Sequence, residues 1–152
     1  MRRVSLPWVV VTVAVIAFIW GNSLVPGSGS GSLSLAVMDA VRSFLAGLSL
    51  PYEWVTNFLV RKTAHFSEYC LLGIVATRAL DRRYTGERWR LAALAILLVL
   101  VPSIDETIQL SVAGRSGQVT DVLLDCCGAA TGVVLSYVVA RLWRRRRIAA
   151  QR

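Results

Sequence analysis

The sequence has little charge, one histidine and few cysteines, and each scarcity closes off a class of protein. Only 17% of its 152 residues are charged against 55% hydrophobic, and the mean hydropathy is +0.58. Soluble globular chains carry about 25% charge, so the composition excludes an ordinary water-soluble domain and predicts a membrane protein. The three cysteines, Cys70, Cys126 and Cys127, lie in apolar segments without zinc-ligand or redox spacing, and two of them are adjacent, a poor disulfide set. They read as small buried apolar residues. Seventeen basic residues face nine acidic ones, a net charge of +8. Because the arginines bunch at the edges of apolar runs, this excess speaks for membrane topology and against nucleic-acid binding.

The one histidine, His65, belongs to an unusual stretch, Arg61-Lys62-Thr63-Ala64-His65-Phe66-Ser67-Glu68-Tyr69. In a helix, Arg61, His65 and Glu68 fall at i, i+4 and i+7, so a cation, an imidazole and a carboxylate share one face. Hydrocarbon would not accept that face. Yet the largely apolar run 69–80 is only about 18 Å long as a helix, too short for a hydrocarbon core of about 30 Å. The span therefore starts near residue 56 and carries His65 and Glu68 into the bilayer, with Arg61 and Lys62 near its edge.

The remaining spans follow from the same reasoning. Residues 7–25 form an apolar run long enough to cross, expected to be a retained anchor because it is long for a signal peptide and lacks a clear small-x-small cleavage signature. Gly27-Ser28-Gly29-Ser30-Gly31-Ser32 reads as a flexible exit, and residues 33–50 as a short helix lying at the interface or tucked into the bundle. Residues 81–90 read as a basic polar loop. The third span, 91–110, has to run on through Asp105, Glu106 and Gln109, and Pro102 inside it frees a backbone carbonyl and predicts a kink. The fourth, 121–142, opens with Asp121 and Asp125, and Gly128 and Gly132 predict a close helix contact. Trp8, Trp20, Trp54, Trp89 and Trp143 fall near span ends, as an aromatic belt does. The expected fold is all-α: a polytopic four-transmembrane-helix bundle with spans of about 7–25, 56–80, 91–110 and 121–142, a short extracytoplasmic interfacial helix, and one domain over 1–152. Arg2, Arg3, the arginines of 78–90 and those of 141–147 share one side, so both termini are expected to be cytoplasmic. The run Arg144 to Arg147 also attracts anionic lipid.

This topology gathers the polar residues of distant segments toward the external half of the membrane. Asn22 and Ser23 end the first span, 61–69 begins the second, 105–109 ends the third, Arg115 lies in the loop, and Asp121 and Asp125 begin the fourth. Intramembrane ionisable groups need partners or water, and so are expected to face one another or a wet pocket. A lattice of ion pairs would satisfy them structurally, but buried pairs add little over apolar packing, which favours function. His65, Glu68, Asp105, Glu106 and Asp121 are the candidate catalytic groups, with His65 and Glu68 exchanging protons. Asn22, Ser23, Arg61, Lys62, Tyr69, Gln109, Arg115 and Asp125 are the candidate substrate-binding groups, the cations holding phosphate or carboxylate. His65 with Glu68, Asp105, Asp121 or Asp125 offers nitrogen and oxygen ligands for a divalent metal, although the spacing is no recognised ligand signature. A proton or substrate relay in an oligomeric carrier, or a non-enzymatic scaffold, are the other readings of the same cluster.

These residues carry a resemblance. Asn22-Ser23, the 61–69 stretch with Gly73, Asp105-Glu106-Thr107-Ile108-Gln109, Arg115, and Asp121-Val122-Leu123-Leu124-Asp125 with Gly128 resemble, in order and spacing, the VanZ-like family, named for a bacterial protein linked to teicoplanin resistance. Asp125 departs from it, since the family pattern often has asparagine there. The resemblance implies a small all-helical protein of the bacterial cell envelope, and makes membrane lipids or a lipid-linked cell-wall precursor the expected partners. It implies no particular reaction.

Overall fold

The computed structural model describes residues 4–81 and 83–150, and Arg2, Arg3 and Arg82 of the charge count lie outside them. Five helices follow one another: α1 (Leu6–Ser23), α2 (Gly27–Gly47), α3 (Asn57–Leu80), α4 (Arg88–Leu110) and α5 (Val119–Ala149). No strand occurs among the described residues. Local sequence sets several of the ends. Pro7 falls in the first turn of α1, where its missing N–H costs nothing, and the Thr56 side chain accepts the Leu59 N–H at the start of α3. Asp121 lies in the first turn of α5 and Arg146 and Arg147 in its last, matching the helix dipole at both ends.

Helices α1, α4 and α5 are each long and apolar enough to cross a membrane. Their side chains mostly point outward: Val10, Val13 and Phe18 on α1, Ile96, Val99 and Leu100 on α4, and Leu123, Val134 and Leu135 on α5 are all exposed. Apolar surface on this scale is stable only against hydrocarbon, and the chain is a membrane protein. Helix α3 differs. With Arg61, Lys62, His65, Glu68 and Arg78 it is too polar to be counted with the other three, and it is the most enclosed element, packed chiefly on α5 and then α1. Its Tyr69, Leu72, Val75 and Ala76 join Ile19, Leu94, Leu98, Val101 and Ala129 in the core.

The contact expected at Gly128 and Gly132 is the α3–α5 seam, with Gly73 as its counterpart on α3. A β-carbon on Gly73 would meet the Ala129 carbonyl at 2.1 Å, one on Gly128 the Phe66 carbonyl at 2.5 Å, and one on Gly132 the Cys70 carbonyl at 2.0 Å. Backbones this close admit glycine alone. Pro102 lies buried within α4, which continues through it. The carbonyl its missing N–H leaves free is that of Leu98, which accepts the Cys126 thiol at 3.6 Å, while Trp20 on α1 donates its indole N–H to Val101 O at 3.3 Å.

Four expectations are corrected. The Gly-Ser repeat is not a flexible exit but the first turns of α2, because Ser30, Ser32 and Ser34 bond the carbonyls three residues back and Gly27 is anchored by its N–H to Ala113 O at 3.0 Å. Residues 81–90 are not simply a polar loop. Asp81 and Arg90 are buried and paired at 3.1 Å, and Asp81 also receives the Gly86 N–H at 2.8 Å, the Tyr137 hydroxyl at 2.7 Å and the Thr85 hydroxyl at 2.9 Å. The cysteines are not uniformly buried: Cys127 is exposed on the outer side of α5, and Cys70 and Cys126 are half-buried. Trp8 and Trp20 both pack against the core instead of marking a belt, whereas Trp54, Trp89 and Trp143 are exposed.

Candidate functional site

A cavity of about 650 Å³ opens where the C-terminal end of α1, one face of α2 and the first turns of α3 meet. The helical spacing of Arg61, His65 and Glu68 brings all three to its wall, as expected of i, i+4 and i+7. Asn22 and Ser23 face it from α1, and Arg115 from the α4–α5 loop. That loop is held against α2: a β-carbon on Gly27 would lie 1.9 Å from Gly114 O, and Gly114 adopts φ +74°. The opposite wall, from α2, escaped the sequence reading, although Leu33, Val37 and Val41 at i, i+4 and i+8 form an apolar stripe that signals it.

The polar groups on this wall are oriented by specific bonds. Glu68 accepts the Asn22 amide at 3.2 Å. Arg115 donates from Nε to Val25 O at 2.8 Å and from Nη2 to Asn22 O at 2.7 Å, so its charge is fixed in place by carbonyls and not by a carboxylate. Burial, and after it the charge of Arg61, lowers the Arg115 pKa. Arg61 takes part in no salt bridge among the described residues.

Behind the cavity wall lies a buried polar layer. Gln109 donates to Ser23 Oγ at 3.3 Å, Asp105 Oδ2 at 3.2 Å and Glu106 Oε1 at 3.3 Å. The other Glu106 oxygen accepts the Gln118 N–H at 2.8 Å, tying α4 to the start of α5. Tyr69, Asp105 and Asp125 are wholly buried. His65 connects the two regions: it lines the cavity, while its Nδ1 lies 3.8 Å from Asp125 Oδ1. One ligand atom each from His65, Asp105 and Asp125 falls within 4.8 Å of the others, which makes these three the residues able to hold a metal; Glu68 and Asp121 stand outside the group.

The candidate residues therefore divide. Asn22, Ser23, Arg61, His65, Glu68 and Arg115 share the cavity; Tyr69, Asp105, Glu106, Gln109 and Asp125 form the layer behind it. Lys62 and Asp121 pair with each other and line neither. A lattice neutralising every acid is not what forms, for among the described residues Glu68, Asp105 and Glu106 have no cationic partner.

Neither the curated proteins nor the solved structures provide a match to the chain. The VanZ/LLP1 family model matches residues 8–141, which take in α2, α3 and α4, most of α1 and α5, and every candidate residue named above. The chain belongs to the VanZ/LLP1 family.

Proposed function

We propose that the protein is a four-span membrane protein, both termini cytoplasmic, whose cavity binds the anionic head of an amphiphile in the external leaflet, a phospholipid or a lipid-linked cell-wall precursor. The observation that carries this reading is the pair Arg61 and Arg115, two guanidiniums lining one cavity with no carboxylate paired to either among the described residues. Guanidinium is the group best suited to phosphate and carboxylate, and the apolar stripe of α2 suits the adjoining acyl or prenyl chain. Helix α3, with 24 residues and so about 36 Å of length, supplies the fourth span, its polar face shielded by its neighbours. At the far end, a groove lined by Arg78, Tyr84, Trp143, Arg144 and Arg147 supports a cytoplasmic placement for the basic end of α5.

His65 and Glu68 on the same wall are the groups that would exchange protons with a bound head, and a part in the response to glycopeptides such as teicoplanin belongs to the same proposal. The test is lipid binding in nanodiscs, phosphatidylglycerol against phosphatidylcholine, measured by native mass spectrometry. The wild type is expected to prefer the anionic lipid by about tenfold, one charge-assisted contact being worth about 1.5 kcal/mol. Arg61→Gln with Arg115→Gln abolishes the preference; equal binding of both lipids by the wild type sinks the reading.

A further inference from the structure

We infer that His65, Asp105 and Asp125 form a binding site for one divalent transition-metal ion of the zinc or manganese class. The inference shares His65 with the anionic-head reading but otherwise uses the layer behind the cavity and no arginine, and a metal held by His65 would leave proton exchange with the head to Glu68.

It starts from unsatisfied atoms. His65 Nδ1, Asp105 Oδ1 and both carboxylate oxygens of Asp125 are buried without a hydrogen-bond partner, and Asp105 and Asp125 are each 0% exposed. Carboxylate oxygens and a neutral imidazole nitrogen are acceptors, so packing them together in a low-dielectric layer is costly unless something positive lies among them. Among the described residues no lysine or arginine does: the one salt-bridge contact to these three residues is their own, between His65 and Asp125. A metal ion satisfies His65 Nδ1, Asp105 Oδ1 and the two Asp125 oxygens together; the Tyr69 hydroxyl, also buried without a partner, is a donor and lies outside that set.

Geometry separates a metal from a direct hydrogen bond. The 3.8 Å between His65 Nδ1 and Asp125 Oδ1 is too long for a hydrogen bond of about 2.7–3.2 Å. It suits two ligands of one ion, which at bonds of about 2.0–2.2 Å stand about 3–4 Å apart. The three ligand atoms lie within 4.8 Å of one another, and binding an ion would draw the more distant of them together by up to about 1–2 Å. The surroundings also resemble a ligand's outer support, because Gln109 donates to Asp105 Oδ2 at 3.2 Å and so aims Oδ1 inward. One imidazole with two carboxylates favours zinc or manganese over magnesium or calcium, which prefer all-oxygen sites. His65 lines the cavity, so the ion is reachable from there.

The test uses the full chain in detergent or nanodiscs, stripped with a chelator and then titrated separately with Zn²⁺, Mn²⁺ and Mg²⁺. Expected is one Zn²⁺ or Mn²⁺ per chain by elemental analysis, a raised melting temperature on loading, and visible d–d absorption when Co²⁺ is the probe. His65→Ala, Asp105→Asn and Asp125→Asn are each expected to weaken binding by about 100-fold or more, and Asp121→Asn to leave the stoichiometry at one. If stripped wild type neither retains Zn²⁺ or Mn²⁺ nor gains thermal stability from them, shared protons satisfy the cluster and the inference fails. It fails equally if binding survives all three ligand substitutions. Wild-type titration needs no variant to fold, and metal uptake is read without any lipid, so failure here is distinct from failure of the lipid proposal.

Discussion

Gly132 on α5 stands so close to the carbonyl of Cys70 on α3 that a β-carbon built on it would lie 2.0 Å from that oxygen. The same seam carries the polar site, because Phe66 and Cys70, whose carbonyls abut Gly128 and Gly132, flank His65, Glu68 and Tyr69 on α3. The separation of the two backbones thus sets how near His65 comes to Asp125.

Gly132→Ala is expected to destabilise the bundle by about 1–3 kcal/mol, since overpacking against backbone cannot be relieved by a rotamer change. Gly21→Ala, where a β-carbon would meet nothing within 4 Å, serves as the control and is expected to stay near wild type. Thermal unfolding in detergent checks both. Equal melting temperatures for Gly132→Ala and wild type would contradict the close seam.

Lys62 and Asp121 form an ion pair in which the side chains keep 25% and 20% of their exposure. At that exposure, Lys62→Ala or Asp121→Ala is expected to cost less than about 1 kcal/mol, with recovery in the exchanged pair Lys62→Asp, Asp121→Lys. The melting temperatures of the single and exchanged variants decide this. A loss of several kcal/mol in either single variant would mean that the pair is a main structural tie.

Asp81 lies at the end of α3, outside the membrane-crossing runs. Burial pushes its carboxyl up, but the Gly86 N–H, the Tyr137 hydroxyl and Thr85 outweigh burial and hold the pKa at about 2, below the ordinary 3.8. A depressed carboxylate pKa stabilises the fold fully above the unfolded value, and that contribution fades as pH falls from about 4 to about 2. Its size is about 2 kcal/mol. Wild type is expected to lose more stability than Asp81→Asn when unfolding is compared at pH 6 and pH 2.5. Parallel losses would count against it.

The orientation proposed for the bundle is open to labelling. In a variant lacking Cys70, Cys126 and Cys127, Ser116→Cys is expected to react with an impermeant maleimide in intact cells, and Arg83→Cys only after permeabilisation. The opposite pattern would turn the cavity toward the cytoplasm and remove an external-leaflet ligand from consideration.

Much of the site was legible along the chain because helical periodicity is a local property. Arg61, His65 and Glu68 share a face whatever surrounds them, and too few apolar residues follow Tyr69 for that face to lie outside the helix. The glycine step at 128 and 132 likewise pointed to a close contact. The fold of 27–32 was not legible in the same way. Glycine and serine there are poor helix formers, and what makes them helical is the distant Ala113–Gly114 loop docking on Gly27. Nor could Asp81 and Arg90 be read as buried, since Tyr137, whose hydroxyl donates to Asp81, is 56 residues from it.

The amino-acid sequence by itself determined the chemical class of the protein: apolar helices, a scarcity of charge, and the few ionisable residues placed where helices begin and end. Only the tertiary structure decided how those residues are shared out. It paired Lys62 with Asp121, left Arg61 and Arg115 lining the cavity with no paired carboxylate among the described residues, and brought His65 close to Asp105 and Asp125. The reason is physical: a repeat of 3.6 residues fixes which side chains share a face within a helix, whereas which faces meet depends on the backbone separation that Gly73, Gly128 and Gly132 allow.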